Sequence, residues 1–527
     1  MRHRTLARLL PDLAPARDHP AFRRLLAGGL LSTLGGSMTS FAVVLQLWDL
    51  TRSSLAVGLL GLTFVPVLFV GLLGGAVADT VDRRKLALAV SGCLMAVSAA
   101  FAVQAYAGLG QAWLLYALAM VQAVLQATAA PSRRTFMPRL VPPEQLTAAI
   151  ALNTLSGRIV MLAGPALAGL IAAAWGVRAC YAIDAVSFVA SLYATARLPA
   201  MRPAGRDARG AAGRPAGRGR PSLGATAAGL RFIGRRPLLV AAFLTDLDAM
   251  LLGLPVALFP ALNAAHFGGS PRTLGLLNAA VGVGGLASAV LSGPASRVVR
   301  QGRGMLAGTM IWGAAIACFG LTASLPLALA MLAVAGAADT LTVTFRAAMV
   351  QAVTPDEFRG RVFSVEYIIG TGGAPLGNVE SGAVASLTSP AISTVAGGLG
   401  CLAIAALIGL LFPALARYRS HPGTRDTLVP VDLQVTDNPD KARFEIVADG
   451  ELAGFAQYYL RDGQIVFTHT ETDDRFRGHG LAGHLVQVAL DTARERQLTV
   501  LPYCPFVKSW IGSHPEYADL IGSPGGR

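Results

Sequence analysis

Runs of about twenty apolar residues recur along most of this 527-residue chain, and they constrain it more than any other feature. A run of ~20 such residues crosses the hydrocarbon core of a bilayer as one helix. Helix is required there, because hydrocarbon offers no partner to a free backbone N–H or C=O. The runs are approximately Leu25 to Trp48, Leu55 to Ala78, Leu86 to Ala107, Ala112 to Ala130, Ala148 to Ala174 and Ala179 to Ala196. After a polar gap come Leu238 to Ala261, Leu274 to Leu291, Met305 to Ala323, Leu327 to Thr344, Val362 to Leu387 and Ile392 to Phe412. The expectation is an all-α polytopic membrane protein with twelve transmembrane helices, followed by a small α/β domain. Composition agrees. Charged residues are 14% and mean hydropathy is +0.54, where soluble domains average about 25% charged. No small-residue cleavage pattern follows Leu25, so the first run is read as a span and not a secretory signal.

The net charge of +14 is distributed as a topology signal and not as a nucleic-acid stripe. Arg2, Arg4, Arg8, Arg17, Arg23 and Arg24 precede the first run. Alternate loops then carry Arg83, Arg84 and Lys85; Arg133, Arg134 and Arg139; Arg297, Arg300 and Arg303; and Arg346, Arg359 and Arg361. The opposite loops hold Arg52, Arg178 and Arg272. The positive-inside rule puts both termini in the cytoplasm of a cell whose inner membrane the chain spans. Between Arg197 and Arg236 lie ten arginines and one acid, Asp207. This Gly/Pro/Arg-rich segment reads as a linker, with anionic lipid headgroups as an alternative partner. The five cysteines form no C-x-x-C pair, so neither a disulfide framework nor a metal site is expected. The resulting division is 1–24, 25–198, 199–237, 238–412, 413–430 and 431–527.

The halves repeat. Arg134, Met137, Val141, Pro143 and Glu144 recur at one constant offset as Arg346, Met349, Val353, Pro355 and Asp356. Both stretches are read as the cytoplasmic loop after the fourth span of their half. Parallel repeats imply an axis along the membrane normal, a small-molecule substrate between the halves, and rocking for alternating access.

GGAVADTVDRRK, after the second run, resembles the signature loop of the major facilitator superfamily. The resemblance implies that Gly75 permits close packing and that Asp79 faces a helix dipole of the other half, locking the outward-facing state. It also implies that Arg83 and Arg84 pair with nearby acids. Thr80 stands where the family usually has a basic residue, and Asp82 where it often has Gly. In the fifth run, Gly164, Pro165 and Gly169 form GPALAG, similar to the motif of the antiporter branch. Close backbone contact and a local bend are its physical content. APSRRTFMPRLVPPEQLTAAIALN and QAVTPDEFRGRVFSV resemble the exporters that include enterobactin and macrolide efflux proteins.

Ionisable residues inside spans are costly and usually functional. Arg158, Asp246, Asp248, Asp339, Glu366 and Glu380 are the candidates, either as proton-coupling groups or as structural ion pairs. Asp246 and Asp248 are two residues apart and point to different faces of a helix. Glu380 lies in GTGGAPLGNVESG, a Gly-rich stretch expected to break or bend the eleventh span. Glu380 or Asp339 is expected to partner Arg158.

After Phe412 the character changes. FEIVADGELAGFAQYYLRDGQIVFTHTE reads as three strands joined at Asp449-Gly450 and Asp462-Gly463. A helix with Leu481, Leu485, Val488 and Thr492 on one face follows, then a strand at LTVLPY. This order resembles the Gcn5-related N-acetyltransferase fold. Arg475, Gly478 and Gly480 match its R-x-x-G-x-G element. The resemblance implies that Arg475, Arg477, Gly478, His479, Gly480 and Leu481 cradle the pyrophosphate of acetyl-CoA at a helix N-terminus. Cys504 is either a nucleophile or a buried thiol, and Glu471 and His469 are candidate general bases. A regulatory acyl-CoA-binding module is the competing reading. The two functional hypotheses are a proton-driven exporter of drug- or siderophore-like molecules and a membrane-tethered acetyltransferase.

Overall fold

The computed structural model describes residues 13–67, 82–134, 136–198, 223–253, 255–290, 298–419, 433–448, 450–473 and 480–522. They fall into two compact units, Met1–Ser420 and His421–Arg527.

The first half of the membrane unit comprises α1 (Pro20–Thr51), α2 (Ser54–Leu59, extended by a 3-10 turn over Leu60–Phe64), α3 (Arg83–Tyr106), α4 (Ala112–Arg134), α5 (Pro143–Trp175) and α6 (Val177–Ala196). Then comes α7 (Leu223–Gly234). The second half holds α8 (Pro237–Leu252), α9 (Phe259–His266), α10 (Pro271–Val290), α11 (Gln301–Leu321), α12 (Leu325–Val353), α13 (Asp356–Leu387) and α14 (Pro390–Leu411). Among the described residues nine helices are long and apolar enough to cross a membrane. The second expected run continues into residues outside the described set.

Local chemistry sets the helix ends. Pro occupies the first turn of α1, α5, α8 and α14, where its missing N–H costs nothing. Ser53 accepts from Ala56 N–H, and Ser389 from Ile392 N–H, each capping a helix. Asp82 does the same for α3, accepting from Arg84 N–H at 2.9 Å. Arg52 closes α1 in the left-handed region, φ 50°.

Three expectations change. The linker reading fails for 223–234, where LGATAAGLRFIG carries no proline and forms α7. Phe232 of α7 stacks on Phe358 of α13 with ring centroids 4.3 Å apart. Arg346 is no loop residue: α12 continues to Val353 and buries it. The Gly-rich eleventh span is unbroken, with Pro375 inside α13. Its glycines make room for neighbours, Gly372 facing Phe64 and Gly377 the Leu251 carbonyl. The seventh span breaks between α8 and α9 at Pro255, in a stretch whose two prolines, Pro255 and Pro260, can bend a helix. The Ala257 N–H freed there donates to Asn378 Oδ1 of α13 at 3.0 Å.

The second unit is a five-stranded sheet in the order β1 (Leu433–Asn438), β2 (Arg443–Ala448), β3 (Glu451–Arg461), β4 (Gln464–Thr472) and β5 (Thr499–Pro502). Only β4–β5 is parallel. Asp462 and Gly463 both have positive φ, as the tight β3–β4 turn requires. Strand β1 and a helix after β5 add to the expected order. On α15 (Leu481–Glu495) the buried face is Leu481, Leu485, Val486, Ala489, Leu490 and Ala493, and it packs on Phe444, Ile446, Ala456 and Phe467. Val488 and Thr492 lie at the edge of that face, half-buried.

Candidate transport and acyl-transfer sites

A buried charge cluster ties three helices of the second half. Arg346 on α12 meets Asp246 on α8 (Nε–Oδ1 3.3 Å) and Glu366 on α13 (Nη1–Oε1 2.8 Å). The Arg346 and Asp246 side chains are 7% and 6% exposed, so water screens their attraction poorly. Two carboxylates face one guanidinium here. Arg346 lies seven residues before the end of α12, about 10 Å into the helix. The sequence reading named both acids and missed the arginine. Its one available signal was the repeat, where Arg346 is the counterpart of Arg134.

Among the other candidates, Asp339 lies near enough to Asp246, Arg346 and Arg158 to feel their charges. Asp248 is buried on α8 beside Cys401 of α14, away from the cluster. Asp246 and Asp248 thus have different neighbours, as their spacing requires. Asp339 is half-buried on α12. Arg158 forms no ion pair with Asp339 or Glu380 among the described residues; Arg158 and Glu380 are both exposed. The cation in direct contact with acids is Arg346 of α12, while Arg158 of α5 acts on Asp339 through its charge without an ion-pair contact.

The two halves meet along two helix pairs. A Cβ at Gly169 on α5 would lie 2.6 Å from the Pro271 carbonyl oxygen and 2.8 Å from Gly275 Cα on α10. Gly58 and Gly61, in and just after α2, face the backbone carbonyls of Asn378 and Pro375 on α13, and Gly382 of α13 faces Ser54. Both zones lie near Trp175, Pro271, Ser54 and Leu387, the helix ends away from the basic loops. Gly164 of the same GPALAG stretch abuts Ser37 on α1, so this motif packs α5 against both α1 and α10. Gly75 and Asp79 lie outside the described residues. So does the Arg83 side chain. Arg84 donates from Nη2 to the Ala196 carbonyl at 2.5 Å, joining α3 to the end of α6 rather than to an acid.

In the second unit β4 and β5 pair only from Gln464↔Thr499 to Phe467↔Pro502. Beyond that they part, and the β5 chain turns into α16 (Pro505–Ser513). Cys504 sits at this fork. Its N–H donates to the Phe467 carbonyl at 2.9 Å, and its thiol lies 3.5 Å from Thr470 Oγ1. The thiol is buried, 3% exposed. His469 and Glu471 are both exposed on β4, with Nε2 and Oε2 3.7 Å apart. The loop residues Arg475, Arg477, Gly478 and His479 lie outside the described residues. Gly480 caps α15 with φ 74°, and Leu481 opens the helix and is buried. Among the described residues no group of three or more His, Cys, Asp or Glu side chains could hold a metal ion.

Residues 11–438 match the family described as transmembrane secretion effector, of the major facilitator superfamily. The chain belongs to this family. Residues 443–520 match the GCN5-related N-acetyltransferase family, and the second unit is a domain of that kind. Among curated relatives, the enterobactin exporter EntS of Escherichia coli O1:K1 is 30% identical over 424 residues, covering 78% of this chain and 97% of the relative. EntS of Shigella boydii serotype 18 has the same identity and coverage. The nucleoside transporter NupG shares the fold at TM-score 0.60 and 15% identity, over 76% of this chain and 99% of that one. An inward-facing bacterial homologue of the lysosomal transporter Spinster does so at 0.57 and 17%, with the same coverage. The chain is thus a multi-pass inner-membrane member of an exporter family, fused to an acetyltransferase-type domain.

Proposed function

We propose that the membrane unit exports small, partly apolar molecules, drug- or siderophore-like, by alternating access driven by the proton gradient. The observation that carries this reading is the contact between halves. Glycines of α2, α5, α10 and α13 bring their backbones together at the end away from the basic loops. Rocking about such contacts exposes a central site to one side at a time. Both termini and the arginine-rich tract are cytoplasmic in this reading, from the loop charges. Proton coupling falls to the carboxylates Asp246, Asp248, Asp339, Glu366 and Glu380, with Arg158 and Arg346 as cationic partners. Gly75, Asp79, Arg83 and Arg84 form the gating loop. The test is accumulation of labelled candidate compounds in cells with and without the gene, each with and without a proton uncoupler. Equal accumulation in both strains for every compound would overturn export. Export that persists after uncoupling would overturn proton drive.

The appended domain is proposed to bind acetyl-CoA, which supplies the acetyl group. Two observations fit: a left-handed Gly480 caps the N-terminus of α15 with no side-chain cap, and β4 parts from β5 after Phe467. Arg475, Arg477, Gly478, His479, Gly480 and Leu481 would hold the pyrophosphate through backbone N–H groups and positive charge. Cys504 at the fork would act as the nucleophile, its thiolate taking the acetyl group as the CoA thiolate leaves, or Glu471 and His469 on β4 would take the proton from an acceptor that attacks directly. A membrane-tethered acetyltransferase, whose transporter half delivers or senses the acceptor, is the second reading. The Cys504–Thr470 contact at the fork favours it.

A further inference from the structure

We propose that the exported molecule is amphoteric, its acidic group held by Arg158 of α5 and its basic group by Asp339 of α12, so that one substrate bridges the two halves. The inference rests on the export reading above and names the substrate class for it.

Arg158 is the sixteenth of the 33 residues of α5, at the middle of the span. Leu162, Pro165 and Gly169 follow it at spacings that keep them on the same helix face. That face is turned to the other half. A Cβ on Gly282 of α10 would lie 3.1 Å from Leu162 Cα, one on Gly275 2.7 Å from the Pro165 carbonyl oxygen, and one on Gly169 2.8 Å from Gly275 Cα. Arg158 stands one turn beyond these contacts, toward the basic loops, and there the residue is exposed. Packing against α1 uses another face, through Gly164. An arginine at that depth faces the interior of the bundle and not lipid.

Asp339 supplies the opposite wall. It stands seven residues before Arg346 on α12 and so shares the face that looks at Asp246 of α8 and Glu366 of α13. It is half-buried, and the charge of Arg158 reaches it across the halves. Arg346 is already held by two carboxylates. Among the described residues neither Arg158 nor Asp339 makes an ion pair or a hydrogen bond. Two unlike charges, one on each half, thus attract each other without touching.

The pair selects its ligand. A purely anionic molecule would suit Arg158 but approach the acids of the far wall, and a purely cationic one would suit Asp339 but approach Arg158. A molecule with both groups satisfies both walls, and neither charge is left unpaired when closure expels water. The planar guanidinium fork suits a carboxylate, and the Asp339 carboxylate suits an ammonium group. Met161, three residues on from Arg158, is exposed, and Val343, four on from Asp339, is half-buried. Both lie on the same side as their charged neighbour and offer apolar surface to the body of the ligand.

The experiment uses four probes with one bicyclic body: naphthylalanine, its amide, its N-acetyl derivative and its N-acetyl amide. At neutral pH they carry both charges, the positive alone, the negative alone, and none. Affinity for the full-length protein in detergent is read from the rise in melting temperature with probe concentration. Naphthylalanine should bind about 10-fold or more tighter than either singly charged probe. Arg158→Gln should erase the preference for the acid over its amide and keep the preference for the free amine over its N-acetyl form. Asp339→Asn should do the reverse. A residue that only supports the fold would weaken all four probes alike. The wild-type series needs no variant, so it stands even if a variant fails to fold. Equal binding of the four probes, or preferences that survive both substitutions, would overturn the inference. Neither result touches the export reading, which falls instead if cells with and without the gene accumulate every compound equally.

Discussion

Gly169 and Gly275 touch backbone to backbone across the two halves, and there is no room for a side chain between them: a Cβ on Gly169 would lie 2.8 Å from Gly275 Cα. The Gly275 side of the contact is equally tight, 2.7 Å from the Pro165 carbonyl oxygen. Gly169→Val should therefore pry α5 from α10 at this end, at a cost of about 1–3 kcal/mol for overpacking. Export should fall while the protein still reaches the membrane. Gly157→Ala, in the same helix but with open space around it, is the control and should be neutral. Efflux rate against surface expression, measured for both variants, checks this. Wild-type efflux in Gly169→Val would remove the contact from the transport cycle.

Arg346→Met should be among the most damaging single changes in the membrane unit. It leaves Asp246 as an unpaired buried acid and takes the partner from the half-buried Glu366, and breaking a buried pair this way costs about 3–5 kcal/mol. Adding Asp246→Asn to Arg346→Met should recover part of the loss, because it removes one stranded charge. Melting temperatures of the two variants in detergent, set against wild type, read this directly. No recovery in the double variant would mean that the cluster contributes through shape and not charge.

In the acetyltransferase-type domain, Gly480→Val forces a β-branched residue to φ 74° at the helix N-terminus, a strain of at least ~1–2 kcal/mol. Acetyl-CoA affinity should drop by an order of magnitude or more, as calorimetry on the full chain would register. Cys504→Ala should leave that affinity unchanged. Whether it also removes acetyl transfer separates a reacting thiol from a packed one. Thr470→Val, which takes away the hydroxyl 3.5 Å from the thiol, should follow Cys504→Ala if the thiol reacts.

Acid sensitivity of this domain should trace partly to Glu445. The hydrogen bond from Arg443, with help from Asn438 and the Arg443 charge, holds its carboxyl below the ordinary 4.5. A lowered folded-state value means stability present above about pH 4.5 and lost as pH falls through the folded value. Glu445→Gln should flatten the melting profile across that acid range and change little at neutral pH. A profile that keeps its acid slope in the variant would move the effect to other carboxylates.

Much of this architecture was legible in the residues. Apolar period and loop charge define the membrane unit, and Asp462-Gly463 defines the β3–β4 turn. The misreadings have physical causes. Arg346 sits near other arginines, so a charge count assigns it to a loop; only the buried acids opposite reveal it as part of α12. Asp184, in YAIDAVSF, was passed over because one acid in an apolar run looks incidental until its hydrogen-bond partners, Thr39 on α1 and Ser98 on α3, are known. The glycines of GTGGAPLGNVESG look like helix breakers, yet their neighbours Phe64, Met250 and Leu251 fill the space a side chain would have taken. β1 escaped notice because LQVTDN is short and half polar. The arrangement of residues 474–479, and of Gly75 and Asp79, lies outside the described residues.

One helix carries several of these features at once. α13 runs unbroken over 32 residues, about 48 Å. Near one end Glu366 holds Arg346; farther along Asn378 holds the break in the seventh span; and Pro375, Asn378 and Gly382 bear on α2. A helix held at two heights, by Arg346 at one and by α2 and the broken span at the other, behaves as a lever. A rearrangement at the charge cluster need not send any chemical signal through the protein, since tilting α13 by a few degrees already changes what its far end grips.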